Sequence, residues 1–478
     1  MPTQEELDAI YSNNRLGQIA FEGASESYKS GQRGLLAGSP DTLAARELLN
    51  LQMRSAHALR NNGTAKAAQS KKTLALGAVK VNWKAEDGTT HELMQELWEE
   101  FAKNPNLDGY GTIHNTESGW HNGVFQAGNS YTRQLVRVTD NPNRVPLKLQ
   151  AIPAEMHDVL FNGTSEQDNI STGIKFKDSK PEAYYFREGL YEQNWFGSEN
   201  PFKHTIVPAD EIIHIFDRTS PGQWLGIPEL ASVLVTLYEI DELSDATIAK
   251  QKSAQAISWI IENTNPLAMT PVGVATVTED KDGSDKVITN AAGGGTQYMQ
   301  KGEKIHFSQG TDIGANLPIL IKTQLEKIAS SINLPYHSLT GDTNGLDFSS
   351  LRAIAIELRS ALTYLHHFRT IPLGLAKVTD RFKELAALRF DVSTAKASYQ
   401  LPRWYGVDDL KDSQSNLLDL SMGATTIQRV LDERHLTIEE IEESMAVLES
   451  LGLGHLIGAV PDAGKQVTNN EANANSSE

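Results

Sequence analysis

His366 and His367 form the one adjacent histidine pair in the sequence, and histidine is the commonest metal ligand. On a helix, neighbouring residues point about 100° apart, so the two cannot easily share an ion. A structural or interface role is the better reading. His204 and His214 bracket a strand-like run, with Asp210 and Glu211 the only carboxylates at ligand spacing. Glu239, Asp241, Glu242 and Asp245 could be taken for paired catalytic carboxylates, but a solvated or intersubunit helix face explains such a run more simply. Gly293-Gly294-Gly295 lacks the Lys and the helix that a phosphate loop needs, and reads as a loop tip. There is no GxxxxGK[ST], HExxH or GxSxG pattern. With no cysteine, disulfides, thiolate catalysis and cysteine-bound zinc are excluded, which suits a reducing cytoplasm. No catalytic residue, metal or cofactor is implied.

Composition bounds the partners. The chain has 478 residues, 39% hydrophobic and 22% charged, enough for two or three domains with a substantial core. No apolar run approaches 18 residues, so no membrane span is expected. The opening MPTQEELDAIYSNN lacks the basic-then-apolar layout of a signal peptide. Net charge is −18, from 61 acidic and 43 basic residues. Such a chain repels DNA at long range, which argues against a sequence-reading binder. It does not argue against a conduit that touches DNA without holding it.

The elements follow from periodicity. Residues 1–40 are polar, with no core period. Helical patterns cover 41–62, with Gly63 as its stop, then 65–76 and 91–104. A strand is expected at 79–83. From 120 to 220 the pattern is β-rich, with runs at 131–138, 147–152, 173–176, 182–188 and 211–216. Turns separate them at 140–143, 162–163 and 178–181. Helix returns at 228–262, then a Gly- and Thr-rich β insert at 264–317 with an Asp282-Gly283 turn, and a short helix at 318–333. Ile321, Leu325, Ile328 and Ile332 make that helix's apolar stripe, with Lys327 nearly opposite and Lys322 flanking. After the loop LPYHSLTGDTNGLDFS, a helix at 350–388 should kink at Pro372. Its apolar face runs from Leu351 to Phe368. Segment 390–404 reads as extended, 408–420 and 437–451 as acidic helices, and the chain from Pro461 as disordered.

Five segments in order resemble the lambda-type portal proteins of tailed bacteriophages. They are LLNLQMRSAHALRNNGTAKAAQSKKTLALGAVKVNW (48–83), ISTGIKFKDSKPEAYYF (170–186) and VPADEIIHIFDRTSPGQWLGIPEL (207–230), then IASSINLPYHSLTGDTNGLDFSSLRAIAIELR (328–359) and RWYGVDDLKDSQSNLLDLSMGATTIQRVLDERHLTIEEIEE (403–443). The 328–359 segment is the closest. It has a Leu-Pro-Tyr step, a Gly/Asp/Asn loop and a Ser-Ser-Xaa-Arg-Ala helix entry. Coverage runs from about residue 44 to 445. Asp408-Asp409 stands where the family tends to have Asp-Pro, and His435 where a glycine is common.

The resemblance implies an α+β, mainly α portal fold assembled as a ring of twelve. Its parts would be an N-terminal arm (1–40), wing (41–240), first stem helix (241–263), clip (264–317) and second stem helix (318–338). A tunnel loop (339–349), long kinked helix (350–389), wing return (390–436), small crown (437–460) and disordered tail (461–478) would complete the chain. The ring would sit at one capsid vertex as the channel for genome packaging and ejection. Its partners would be further copies of itself, double-stranded DNA held without sequence preference, the terminase large subunit, the major capsid protein and a head–tail adaptor protein. It would be a virion protein, assembled in the host cytoplasm. Helices pack about 8–10 Å apart, so twelve in a ring enclose a bore of about 25 Å, close to the width of a duplex.

The tunnel loop would comprise Thr340, Gly341, Asp342, Thr343, Asn344, Gly345, Leu346, Asp347 and Phe348. Its alternative reading is a plain helix–helix connector. Lys322 and Lys327 would line the channel as a basic ring, or face a neighbour's carboxylates. A different head–tail connector or capsid-associated protein is the second reading. Such a connector is usually shorter and lacks the helix–loop–kinked-helix unit at 318–388. An enzyme is the third, opposed by the missing motifs.

Overall fold

The structure, a computed structural model, describes residues 40–137, 144–163, 169–187, 204–256, 259–263, 276–279, 285–288, 303–307, 316–402, 409–427, 430–431, 436 and 438–451. The arm at 1–39, the turns at 140–143 and 282–283, Gly293 to Gly295, residues 403–408, His435 and the tail from 461 lie outside the described residues.

In chain order the elements are α1 (Pro40–Asn61), α2 (Gly63–Leu76), β1 (Lys80–Lys84), α3 (Glu92–Lys103), α4 (Ile113–Ala127), β2 (Asn129–Val136) and β3 (Leu147–Ile152). Next come β4 (Ile170–Ser171), β5 (Ile174–Lys177), β6 (Lys180–Arg187), β7 (His204–Pro208), β8 (Ile212–Phe216), α5 (Leu234–Ala256) and β9 (Trp259–Asn263). Then follow β10 (Thr276–Glu279), β11 (Asp285–Ile288), β12 (Glu303–Phe307), α6 (Asn316–Ser331), α7 (Tyr336–Thr340) and α8 (Phe348–Leu365). A π-helical stretch (His366–Leu375) runs into α9 (Ala376–Ala387), β13 (Lys396–Gln400), α10 (Asp409–Ser421) and α11 (Ile438–Ser450). The fold is mixed α and β and mainly helical.

Two compact units divide the chain. The first comprises Met1–Ser70, Gly119–Leu135 and Leu149–Ile332. Its two larger sheets have the orders β3-β2-β8 and β4-β5-β6-β7, beside the pairs β10-β11 and β12-β9. The four-stranded sheet is antiparallel throughout. Asp178 and Ser179 turn β5 into β6 with φ of 50° and 62°, the paired positive angles of a tight hairpin turn. Ala183, Tyr184, Tyr185 and Phe186 are buried in succession, so β6 is covered on both faces. Tyr131, Met156, Ile174, Phe186 and Val207 form the apolar centre.

His157 sits in that centre. It accepts a hydrogen bond at Nδ1 from the Tyr131 hydroxyl at 2.8 Å, which leaves the proton on Nε2, 3.3 Å from the Gly173 carbonyl. Burial lowers its pKa to about 4.

One turn of this unit is dense with backbone contacts. Between β8 and α5 the chain passes Gly226-Ile227-Pro228. The buried Asp41 carboxylate accepts from the amides of Trp224 at 2.9 Å and Leu225 at 3.0 Å. Asn129 Oδ1 accepts from the Gly226 amide at 2.8 Å, and Asn129 Nδ2 donates to the Gly226 carbonyl at 3.0 Å. A Cβ on Gly226 would lie 2.0 Å from the Gly128 carbonyl oxygen, so no side chain fits. Pro228 then opens a short 3-10 turn that leads into α5.

The second unit comprises Lys71–Ser118, Val136–Lys148 and Asn333–Glu478. β1 and β13 pair antiparallel, Lys80 opposite Gln400. Met94, Leu97, Trp98 and Phe101 repeat at helical spacing and bury one face of α3. Trp98 meets the Phe382 ring edge-on at 5.2 Å, and Phe101 meets the same ring at 5.1 Å. His366 Nε2 lies 2.9 Å from the Leu76 carbonyl.

The structure corrects several sequence expectations. Residues 120–127 belong to α4, where Trp120, Val124 and Phe125 are buried at helical spacing. Gly63 starts α2 and does not end the preceding run; only Asn62 interrupts the helix. The helix expected to 262 ends at Ala256. The following Trp259-Ile260-Ile261 run is aromatic and β-branched, and β9 pairs antiparallel with β12. Pro372 falls in the π-helical stretch, whose wider turns accommodate a ring that an α-helix would clash with. That stretch also breaks the 3.6 period, so Phe368, expected on the apolar face, is 65% exposed.

Two expectations follow. Gly226→Ala should lower the stability of the fold by about 3 kcal/mol, read from the denaturant midpoint, because backbone must move to admit the methyl. His157 charges in the unfolded chain near pH 6.5 but only near 4 when folded. The stability it leaves intact above 6.5 is therefore lost as pH falls, reaching about 3 kcal/mol at pH 4. His157→Phe should show a flatter acid limb in the same titration.

Candidate channel elements

The loop expected to carry function is closed by its own hydrogen bonds. Pro335 opens α7, and Leu339 N–H donates to its carbonyl at 3.0 Å. This short helix occupies part of what the sequence suggested was loop, since Tyr336 to Thr340 satisfy one full turn. Gly341 ends it at φ 79°, its N–H donating to the His337 carbonyl at 2.8 Å. The Thr340 hydroxyl donates to the Tyr336 carbonyl and accepts from Asp342 N–H at 3.2 Å. Asp342 Oδ1 accepts from Asn344 N–H at 3.1 Å, an Asx turn, and its other oxygen accepts from the Tyr336 hydroxyl at 3.4 Å. Leu346 N–H donates to the Thr343 carbonyl at 3.2 Å, with Gly345 at φ 78°.

Asp347 is the N-cap of α8. Its Oδ1 accepts from Ser350 N–H at 2.7 Å and from the Ser349 hydroxyl at 3.2 Å. The Ser350 hydroxyl and amide, with Ser349, hold its pKa below the usual aspartate value. Phe348 begins the helix. Thr340, Gly341, Thr343, Asn344, Gly345 and Asp347 are exposed, while Asp342 and Leu346 are half-buried. The loop contains two carboxylates and no cation, so it cannot neutralise phosphates. What it presents is amide, hydroxyl and bulk.

Lys322 and Lys327 are both exposed on α6. The apolar stripe of that helix is buried at Ile328 and Ile332 and only half-buried at Ile321 and Leu325. Ile319 and Leu320, one turn earlier, are 63% and 47% exposed.

The residues that might have made an enzyme or metal site stay apart. His204 Nε2 contacts Asp158 Oδ2 at 2.7 Å, with Arg187 on the other oxygen at 3.3 Å, and does not join Asp210 or Glu211. Glu211 instead pairs with Arg133 at 2.7 Å. His214 stacks on Tyr131 and on Phe216, each at 4.4 Å. His366 is buried against backbone and His367 is exposed. Glu239, Asp241, Glu242 and Asp245 are solvated, with Asp241 accepting from Asn62 Nδ2 at 2.8 Å. Among the described residues, no group of three His, Asp or Glu could hold a metal, and no helix is long and apolar enough to cross a membrane. Sequence reasoning missed the buried Asp158, whose partners at 187 and 204 lie too far along the chain to show as a motif.

Replacing Asp347 with Ala should speed amide hydrogen exchange at Ser350 and Leu351 by about fivefold, the usual scale of a lost cap. Because its carboxyl is held below the ordinary value, the native cap should persist above that value and fail only as pH falls through the lowered one. Asp347→Asn should keep the cap and lose the pH dependence.

Comparison with known proteins gives the family. Residues 30–365 match the family model described as phage portal protein, lambda family. A protein of Halomonas phage phiHAP-1 named "Probable portal protein" is 24% identical over 296 residues. The alignment covers 59% of this chain and 55% of that protein, so the chain spans about half the length of that relative. Among solved structures, the neck of an empty GTA particle computed with C6 symmetry aligns at 13% identity and TM-score 0.46, over 82% of this chain and 94% of that one. An HK97 family phage portal protein from Corynebacterium diphtheriae aligns at 14% identity and TM-score 0.32, over 75% and 96%. These superpositions are too loose to carry the assignment, which rests on the family match. That match takes in the hairpin, the Gly226-Ile227-Pro228 turn, the loop and all of α8, and by it the chain belongs to the lambda family of phage portal proteins.

Proposed function

We propose that twelve copies of this chain form a ring at one capsid vertex, the channel through which the genome is packaged and ejected. The observation that carries this reading is the family match over residues 30–365. As a member of that family the chain is structural and not an enzyme. In the proposed ring, residues 41–240 and 390–436 form the wing, α5 from Asp241 onward and α6 the stem, β9 to β12 and their connections the clip, and α11 the crown. The first stem helix then ends at Ala256. The clip docks the terminase large subunit during packaging and a head–tail adaptor afterwards, and the wing meets the major capsid protein. The particle is a virion component put together in the host cytoplasm.

The mechanism proposed for DNA contact is weak by construction. Twelve chains of −18 make acidic walls that keep a duplex centred and prevent it sticking. Loop residues 340–348 touch it sterically with amides and hydroxyls. Lys322 and Lys327 add a small attractive ring, with contacts few enough to release at physiological salt. The work of packaging comes from the separate ATPase.

Deleting residues 341–347 should leave the number of copies per particle unchanged and impair packaging or retention of DNA, measured as protected genome per head. Normal packaging by the deletion variant would reject the loop's role.

A further inference from the structure

We propose that the exposed face of α8 is a contact between copies of this chain, a seam of the subunit interface. This rests on the ring reading and adds to it a named surface. From Ser349 to Ala361 no described side chain is buried. The exposed residues Ser349, Ala353, Ile356, Ser360, Tyr364 and Phe368 step by four or three along one stripe. Ile356, Tyr364 and Phe368 are 52%, 59% and 65% exposed, and the last two rings lie 4.5 Å apart. On the opposite side Leu351, Ile354 and Leu358 are only half-buried. Apolar side chains on both sides of a helix call for cover, and the described residues do not supply it.

Charge decides what covers the stripe. Glu357 is the single formal charge among the exposed described residues from Ser349 to Phe368. The other long helices expose several: Arg46, Glu47, Arg54 and Arg60 on α1; Glu239, Asp241, Glu242 and Asp245 on α5; Lys322, Glu326 and Lys327 on α6. Loss of charge with retention of aromatic residues marks the centre of a protein–protein interface. A stripe without cations is a poor surface for phosphate. Copies that each carry −18 repel one another, and a face with a single charged residue adds little to that repulsion. Twenty residues of helix span about 30 Å, and a strip about 10 Å wide offers roughly 300 Å², against about 800 Å² per side in a stable interface. The stripe is thus the size of a central seam, with the rest of the contact around it.

The chain has no cysteine, so a single introduced thiol reports cleanly. Ser360→Cys and, as an exposed control in the turn after β1, Glu86→Cys are made separately, and assembled particles are reacted with a maleimide. Ser360→Cys should react at least about tenfold more slowly than the control. Equal rates in assembled particles would overturn the seam and leave the ring standing, including the case in which this face lines an open channel. Ser360→Arg should shift the mass from particle to small species with unchanged circular dichroism; intact particles would overturn the seam again. If the unmodified chain forms no particle, the ring reading falls, and the seam with it.

Discussion

The closest constraint in the molecule is the backbone approach of Gly226 to Gly128, which leaves no room for even one methyl group. It binds the end of α4 to the exit of β8, and it directs the chain from the sheets into α5. The surrounding polar groups are matched to it. Asn129 uses its side-chain oxygen and nitrogen on Gly226, and Asp41, at the start of α1, takes the amides just before it. Buried backbone groups left without partners would cost several kcal/mol, so this turn is tolerable only with all of these partners present. Sheets, first helix and α5 therefore hold together or fail together.

A second constraint is electrostatic and concerns what the chain must not do. The loop at 341–347 satisfies its backbone through Asp342, Thr343 and Asp347, which are neutral or negative. A lysine-rich loop would bind DNA and hold it. The acidic balance of the chain and the cation-free loop suit a surface past which a polyanion slides. The same charge disfavours contact between copies, and the proposed seam on α8 exposes one charged residue, Glu357.

Much of this was legible in the sequence where a single period ran uninterrupted. The helix at 91–104 and the strand at 147–152 were read from the pattern alone, and the structure has them at Glu92–Lys103 and Leu147–Ile152. The segment VPADEIIHIFDRTSPGQWLGIPEL, which resembles portal sequences, contains Gly226-Ile227-Pro228, and the steric reason for the glycine emerged only with Gly128 opposite it. What sequence hid was non-local or compensated. Gly119, Gly123 and Asn122 dilute the helical pattern of α4, whose burial of Trp120 and Phe125 outweighs their low propensity. Pro372 signalled a break, yet the chain widens its turn and continues. The residues proposed for the channel were legible as a Gly/Asp/Asn loop before a helix, and their capping roles emerged only in the structure. In the proposed ring their position around an axis would depend on neighbouring copies, which one chain's sequence does not contain.

The central claim is that this chain is built to close on itself around an axis. The most direct measurement is the mass of the purified chain in solution by light scattering, at micromolar concentration and physiological salt. A particle close to twelve times the 52.5 kDa chain is the predicted result. A species of single-chain mass under those conditions would contradict the account.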